Sequence, residues 1–117
     1  MAMSDLEKIR AVTLGAKPQF KKKVFNYNGV DVEFRQPNLR ERKFLLNKAK
    51  DSKGEFDLTE FLVWSVITNT YVPGTNQKVF TPEDYDAMME QNGGSFVEVF
   101  GNEIAALMNV EDEDIKK

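Results

Sequence analysis

Apolar and polar side chains alternate from Lys22 to Pro37 in the pattern of a β-hairpin. Asn28-Gly29, at the centre of this segment, favours a two-residue turn because such a turn needs positive φ at both residues. The turn predicts four apolar side chains on one face: Phe25, Tyr27, Val30 and Val32. Four polar side chains are expected on the other face: Asn26, Asp31, Glu33 and Arg35. An isolated hairpin is marginally stable, so the apolar face is expected to pack on the rest of the chain.

The segment after the hairpin is predicted to form a helix with a basic solvent-facing side. Asn38 and Glu41 have the spacing of a capping box, in which each side chain accepts a hydrogen bond from the other residue's backbone N–H. Apolar residues spaced for one helix face follow: Leu39, Leu45, Leu46 and Ala49. The remaining surface is basic and includes Arg40, Arg42, Lys43, Lys48 and Lys50.

The most apolar segment is predicted to be the central helix of the fold. It begins at a cap formed by Asp57 and Glu60. Its apolar residues cover almost the whole circumference, which is typical of a helix buried on most sides: Phe61, Leu62, Val63, Trp64, Val66 and Ile67. The β-branched residues at its end could carry it as far as Tyr71, before Pro73-Gly74 stops it.

Two further amphipathic helices are predicted, separated by Gly93-Gly94. The first begins at Thr81-Pro82, because threonine caps helices and proline suits the first turn. Its apolar stripe consists of Tyr85, Met88 and Met89. The second is expected to be capped by Ser95 with Glu98, and its apolar face consists of Phe96, Phe100, Ile104 and Leu107.

The order of these elements predicts an α+β fold that is mostly α, with an N-terminal β-hairpin packed on about four helices. Residues 20–110 are expected to form a single domain. Residues 1–19 are either a short helix, which Ser4 and Glu7 have the spacing to cap, or a flexible arm. Residues 111–117 are predicted to be a charged, flexible tail.

The composition excludes several kinds of chemistry. The 117 residues contain no cysteine and no histidine, which excludes thiolate nucleophiles, Cys/His zinc sites and Ser-His-Asp triads. We therefore predict a protein that is not an enzyme, with no catalytic residues, no cofactor and no metal. Glu83, Asp84 and Asp86 are interpreted as helix-start acids that favour the positive end of the helix dipole. The stretch from Asp51 has its glycine at the fourth place, where a calcium loop requires it at the sixth.

The net charge of −3 gives no general attraction to nucleic acid or membrane, so neither is expected as a partner. Neither a membrane span nor a signal peptide is predicted, which favours a soluble intracellular protein. Lys21, Lys22 and Lys23 lie beside aromatic residues, a pattern that occurs in nucleic-acid-binding proteins. The favoured interpretation is that they protect an exposed edge strand from aggregation.

Because no reactive chemistry is available, the last two helices are predicted to provide a surface that binds another protein or another copy of this chain. Methionine fills gaps in cores, but it also suits adaptable binding surfaces. The candidate partner-binding residues are Tyr85, Met88, Met89, Phe96, Phe100 and Met108.

Three stretches also occur in an order that is similar to that of a known family. They are VEFRQPNLRERKFLL after the hairpin, KVFTPEDYDAMME, and FVEVFGNEIAALMNV before an acidic tail. The part of the chain from about residue 24 to residue 110 thereby resembles the small tail assembly chaperones of long-tailed (siphovirus-type) bacteriophages. The patterns consist of apolar and capping residues, with no catalytic signature.

The resemblance implies a non-catalytic protein that binds the tape measure protein and helps to recruit tail tube subunits. It implies action in the host cytoplasm and absence from the mature virion. It also implies a longer form made by ribosomal frameshifting, for which the codons of Lys116-Lys117 are a candidate slippage site. Three alternatives stay open: a small nucleic-acid-binding regulator, a structural tail or connector subunit retained in the virion and, last in order, an enzyme that uses carboxylates.

Overall fold

A computed structural model describes residues 4–15 and 20–108 and confirms an α+β fold that is mostly α. The strands are β1 (Lys22–Tyr27), β2 (Val30–Arg35) and β3 (Thr70–Tyr71). The helices are α1 (Asp5–Val12), α2 (Leu39–Lys48), α3 (Leu58–Asn69), α4 (Tyr85–Met89) and α5 (Phe96–Met108). The predicted tail, the Lys116-Lys117 slippage site and part of the predicted N-terminal arm lie outside the described residues.

The predicted hairpin is confirmed, and its register is the expected one. Tyr27 pairs with Val30 and Phe25 pairs with Val32. Asn28 and Gly29 both have positive φ, at 53° and 86°, as the predicted turn requires. Phe25, Tyr27 and Val32 pack against the core, but the expectation for Val30 is wrong. Val30 follows the turn directly and lies exposed.

The prediction that Glu33 and Arg35 face solvent is also wrong, because β3 adds a third strand beside β2. The central helix ends at Asn69, and Thr70–Tyr71 pairs antiparallel with β2. Glu33 is buried and accepts hydrogen bonds from Arg35 Nε at 2.6 Å and from the Gly74 backbone N–H at 3.2 Å. Burial alone would raise the pKa of Glu33, but these hydrogen bonds outweigh it and hold the pKa below 4.5.

The hydrophobic core lies between the hairpin and the pair formed by α3 and α5. Its buried side chains come from β2, α3, α4 and α5: Phe34, Val63, Val66, Ile67, Met88, Val97, Phe100 and Ile104. Phe34 and Phe100 meet at its centre, with ring centroids 5.0 Å apart. The predicted central helix is confirmed, because α3 packs against α2, α4 and α5.

Most of the predicted helix starts are confirmed. The Ser4 and Asp57 side chains accept from the third backbone N–H of α1 and α3, and Asn38 forms a full capping box with Glu41 on α2. The segment after Thr81 begins with a 3₁₀ turn over Pro82–Asp84 before α4.

The predicted apolar face of α2 is only half correct. Leu45 and Ala49 are buried as predicted, and they pack beside Phe61 and Leu62 of α3. The prediction is wrong for Leu39 and Leu46, which are exposed. Along α2 and its C-cap, Leu45 and Ala49 are the residues buried completely against α3.

Candidate partner-binding surface

The six predicted partner-binding residues do not form one surface. Met88 and Phe100 belong to the buried core, so neither is accessible to a partner in this structure. Phe96 is half-buried and stacks on Phe80, with ring centroids 5.8 Å apart. Met89 is exposed and lines a recess together with residues of the α4–α5 loop. The helical spacing therefore identified the apolar faces of α4 and α5, and those faces mostly pack inward.

Tyr85 is held by contacts within the protein. Its hydroxyl donates a hydrogen bond to the Glu60 carboxylate, and its ring stacks on Trp64 with centroids 5.3 Å apart. Trp64 donates to the same carboxylate through Nε1 at 3.2 Å. The hydrogen bond to Glu60, with a smaller effect of burial, raises the pKa of Tyr85 from 10.0 to about 12. This network fixes α4 against α3.

The Tyr85 pKa gives a testable pH dependence. A pKa that is higher in the folded state adds stability that is complete below about pH 10 and is lost as the pH rises through about 12. Tyr85→Phe is therefore expected to be less stable than the wild type at neutral pH, with the difference shrinking between about pH 10 and 12. Urea unfolding across this range measures the difference. A difference that stays constant up to pH 12 would contradict the Tyr85–Glu60 hydrogen bond.

Met108 is the predicted residue that lies in an apolar groove. The groove is a cavity of about 190 Å³ between α2, the start of α3 and the end of α5, and we call it the α2–α5 groove. It is lined by Arg42, Leu46, Phe56, Phe61, Ala105 and Met108. Phe56 is 59% exposed and Leu46 is 42% exposed. Both therefore present apolar surface to solvent at the mouth of the groove.

The turn before α3 places Phe56 in this groove. The Asp51 carboxylate accepts hydrogen bonds from the backbone N–H groups of Lys53 and Glu55, at 2.8 and 2.9 Å. Gly54 has a φ of 80°, which glycine adopts without strain. The turn brings Phe56 into a β-bridge with Lys50 and sets its ring 5.6 Å from that of Phe61. Asp51 therefore serves the backbone of this turn.

The groove is a concave, mostly apolar surface with one cation in its lining. Arg42 is the charged residue of the lining, and the other lining residues are apolar. Such a surface can accept apolar side chains of a helix, with a carboxylate of that helix placed near Arg42. Within residues 4–15 and 20–108, no group of acidic side chains is arranged to hold a metal ion. None of the described helices has the length and apolar character needed to span a lipid bilayer.

Sequence reasoning missed most of the groove. Leu46 was predicted to lie on the apolar face of its helix, and no role was predicted for Phe56. The sequence did contain one signal for the contact between Phe56 and Phe61. Phe56 directly precedes the N-cap residue Asp57, and Phe61 follows it by four residues, which is the spacing of a hydrophobic staple. Nothing in the sequence distinguished Arg42 from the other four basic residues predicted on the solvent-facing side of this helix.

The predicted edge position of the lysine-rich segment is confirmed. The strand order is β1-β2-β3, so β1, which begins at Lys22, lies at one edge of the described sheet. Lys23 reaches α5 and forms an ion pair with Glu103, with Nζ 2.6 Å from Oε2. Lysine at an edge strand opposes pairing with another strand.

Comparison with known proteins shows a relative of this fold. The chain is similar to the solved structure of the tail assembly chaperone of bacteriophage HK97, with a TM-score of 0.62 and 15% sequence identity. The match covers 92% of this chain and 99% of that chain. No protein-family model matches the sequence, and no curated protein does. The predicted resemblance is therefore confirmed at the level of the fold.

Proposed function

We propose that this chain is a phage tail assembly chaperone that binds an apolar helical segment of the tape measure protein and helps to recruit tail tube subunits. The observation that carries the proposal is the α2–α5 groove on a fold similar to that of the HK97 tail assembly chaperone. A long helical protein exposes apolar faces before it is enclosed in a tail tube. A chaperone for it needs an apolar receptor surface and a soluble exterior.

The groove meets this need through its position and composition. The consecutive helices α2 and α3 meet the more distant α5 there, so the walls of the groove are held by the packing of these three helices. A partner helix that inserts two or three apolar side chains would contact Phe56, Leu46 and Met108 together. Aromatic and methionine side chains give such a site large contact area and tolerance for different helices.

The proposed role is non-catalytic and precedes completion of the tail. The chaperone acts in the host cytoplasm and leaves before the virion matures. A structural tail subunit retained in the virion would use the same fold differently. Mass spectrometry of purified virions distinguishes these two roles, because a chaperone is absent from the particle and a structural subunit is present at a fixed copy number.

The groove gives a direct test of the proposal. Leu46→Asp and Phe56→Asp are expected to weaken binding of the co-expressed tape measure protein at least tenfold, about 1.4 kcal/mol, because each places a charge in the apolar contact. Both residues are exposed in the free protein, so circular dichroism and unfolding curves are expected to stay near those of the wild type. Affinity is measured by pull-down and by calorimetry.

Two control variants separate the groove from other apolar surface. Leu39 is also on α2, but it is 82% exposed and lies outside the groove. Leu39→Asp is therefore expected to bind the tape measure protein normally. Met89→Glu tests the surface that the sequence predicted on α4, and it is also expected to bind normally. If Met89→Glu loses binding of the tape measure protein and both groove variants keep it, the binding site lies on α4 and the groove proposal is wrong. Normal binding by all four variants would rule out both surfaces.

A further inference from the structure

The opposite face of α2 carries a second surface, made of aromatic rings bordered by cations. Arg40 and Phe44 lie on this face, whereas Arg42 and Leu46 lie in the α2–α5 groove, and each pair is spaced i, i+4. The cavity there measures about 290 Å³. Its lining consists of Arg40, Glu41, Phe44, Trp64, Thr68, Lys78 and Pro82. We call this surface the Phe44–Trp64 patch.

The aromatic floor of the patch is held in place before any partner arrives. The Phe44 and Trp64 rings meet edge to face, with centroids 6.0 Å apart and planes at 90°. Trp64 is fixed from below by its stack on Tyr85 and by its hydrogen bond to Glu60. Phe44 is 42% exposed. The patch therefore offers a rigid apolar recess to solvent.

Three cations border this floor, and none of them is paired with an acidic side chain in the part of the chain that the structure describes. Lys48 Nζ lies 4.7 Å from the centroid of the Trp64 ring and 5.8 Å from that of Phe44, within the range of cation–π attraction. Arg40 and Lys78 line the cavity. Within the described residues, none of the three forms an ion pair; the ion pairs Lys23–Glu103 and Arg35–Glu33 lie elsewhere in the fold.

Two carboxylates at the patch, those of Glu41 and Glu60, accept hydrogen bonds within the protein. Glu41 accepts a hydrogen bond from the Asn38 backbone N–H at 2.9 Å in the capping box. Glu60 accepts from Trp64 and Tyr85. The patch therefore presents three cations against the one carboxylate of its lining, that of Glu41, on a chain whose net charge is −3.

We propose that the Phe44–Trp64 patch binds an acidic segment of a partner protein. An apolar side chain of that segment enters between Phe44, Trp64 and Pro82. Flanking Asp or Glu carboxylates pair with Arg40, Lys48 and Lys78. Lys48 leaves the Trp64 ring to meet a carboxylate, so binding exchanges a cation–π contact for a charge-assisted hydrogen bond. This site is separate from the α2–α5 groove, and the proposal does not depend on the tape measure assignment.

A protein segment fits the patch better than a nucleic acid does. Sequence-tolerant binding of single strands uses exposed aromatic faces on which bases stack. Here the Trp64 ring already stacks on Tyr85 and lies under the Lys48 ammonium, so a base would have to displace one of them. The negative net charge also opposes a polyanion, whereas a short acidic segment needs only the local cations.

Trp64 is the only tryptophan of the chain, so its fluorescence reports on the patch directly. We expect the hexapeptide Glu-Glu-Leu-Phe-Glu-Glu to give a saturable change in Trp64 emission that weakens with added salt. The peptide Lys-Lys-Leu-Phe-Lys-Lys is expected to give none. Lys48→Glu and Lys78→Glu are each expected to raise the dissociation constant at least tenfold. Both lysines are exposed, so the variants are expected to fold.

The matched control is Lys53→Glu, the same charge reversal at an exposed lysine of the turn before α3. It is expected to bind the acidic peptide like the wild type, within a factor of two. No saturable response to the acidic peptide, or an equal loss of affinity in Lys53→Glu, would overturn the proposal. A response to oligodeoxythymidine in the absence of one to the peptide would also overturn it, in favour of nucleic-acid binding. Groove variants such as Phe56→Asp are expected to bind the acidic peptide normally, which keeps the two sites distinguishable.

Discussion

Replacing Arg35 with alanine is expected to lower the free energy of unfolding by about 3–5 kcal/mol, because it leaves the buried Glu33 carboxylate without its charge partner. The Glu33 side chain is 3% exposed, and Arg35 Nε lies 2.6 Å from its Oε2. The same guanidinium donates to the Thr75 carbonyl and to Asn76 Oδ1, and it lies over the Tyr71 ring. Arg35→Ala therefore also releases the loop after β3. Urea unfolding of the variant measures the loss.

Two further variants make this test specific. Lys23→Ala breaks the more exposed pair with Glu103 and is expected to cost at most about 1 kcal/mol. The double variant Glu33→Leu with Arg35→Met removes both charges and is expected to be more stable than Arg35→Ala alone, because no buried charge stays unpaired. A loss below about 1 kcal/mol in Arg35→Ala would contradict the burial of Glu33.

The pH dependence of this pair has a definite sign. Because the pKa of Glu33 is lower in the folded state, the pair adds stability that is present above about pH 4.5 and is lost as the pH falls through the folded pKa. The stability difference between the wild type and Arg35→Ala should therefore narrow in acid. This behaviour is opposite to that of Tyr85, whose contribution is lost in alkali.

The turns and helix caps that are determined by residues close together in the sequence could be predicted from the sequence. The Asn28-Gly29 turn needs positive φ at two adjacent residues, and only a few residue types provide it. The caps at Ser4, Asn38 and Asp57 each involve a hydrogen bond spanning three residues. These signals lie within a few positions of one another, so a single sequence reveals them.

The third strand could not be predicted in the same way. Thr70–Tyr71 continues directly from a helix whose β-branched residues suit a buried helix as well as a strand. Its identity as a strand comes from pairing with β2, more than thirty residues earlier in the chain. The burial of Glu33 follows from that pairing and from the loop that supplies the Gly74 N–H. The alternation of apolar and polar residues along β2 predicts which face of the hairpin Glu33 lies on. It carries no information about a third strand that pairs beside β2.

The candidate site was predicted only in part for a related reason. Helical spacing identifies an apolar face, but it does not tell whether that face meets another helix or solvent. Met88 and Phe100 lie on well-formed stripes and are buried by α3 and β2. Leu46 was placed on a buried stripe and is exposed, because α2 has neighbours on one side. Met108 lies in an apolar recess, but most of the other residues that line it come from α2 and α3 and none from α4.

The position of α2 explains why one helix can present two different surfaces. Leu45 and Ala49 fix it to α3, which leaves its two flanks free. One flank contributes Arg42 and Leu46 to an apolar groove, and the other contributes Arg40 and Phe44 to the cationic patch. A partner in the groove and an acidic segment on the patch would therefore contact the same helix from opposite sides. Variants of the two flanks can then test the two proposals independently.

Replacing Gly101 with valine is expected to lower the free energy of unfolding by about 1–3 kcal/mol or more, because α3 and α5 cross at this residue with no room for a side chain. A Cβ at Gly101 would lie 2.9 Å from both Cβ and Cδ2 of Leu62 and 3.2 Å from its Cα. Glycine normally weakens a helix by about 1 kcal/mol relative to alanine. Its presence in the middle of α5 is explained by this close approach. Thermal and urea unfolding measure the loss.

The clash with Leu62 can be separated from any general effect of the substitution. In the double variant with Leu62→Ala, part of the obstructing side chain is gone, so Gly101→Val is expected to cost less than it does in the wild type, by at least about 0.5 kcal/mol. Gly93→Ala is the control, since a Cβ there would meet only Glu98 Oε1, at 3.4 Å, and φ at Gly93 is not positive. That variant is expected to change stability by about 0.5 kcal/mol or less. Equal costs for Gly101→Val in the wild type and in Leu62→Ala would show that the contact with Leu62 Cδ2 does not contribute to the cost.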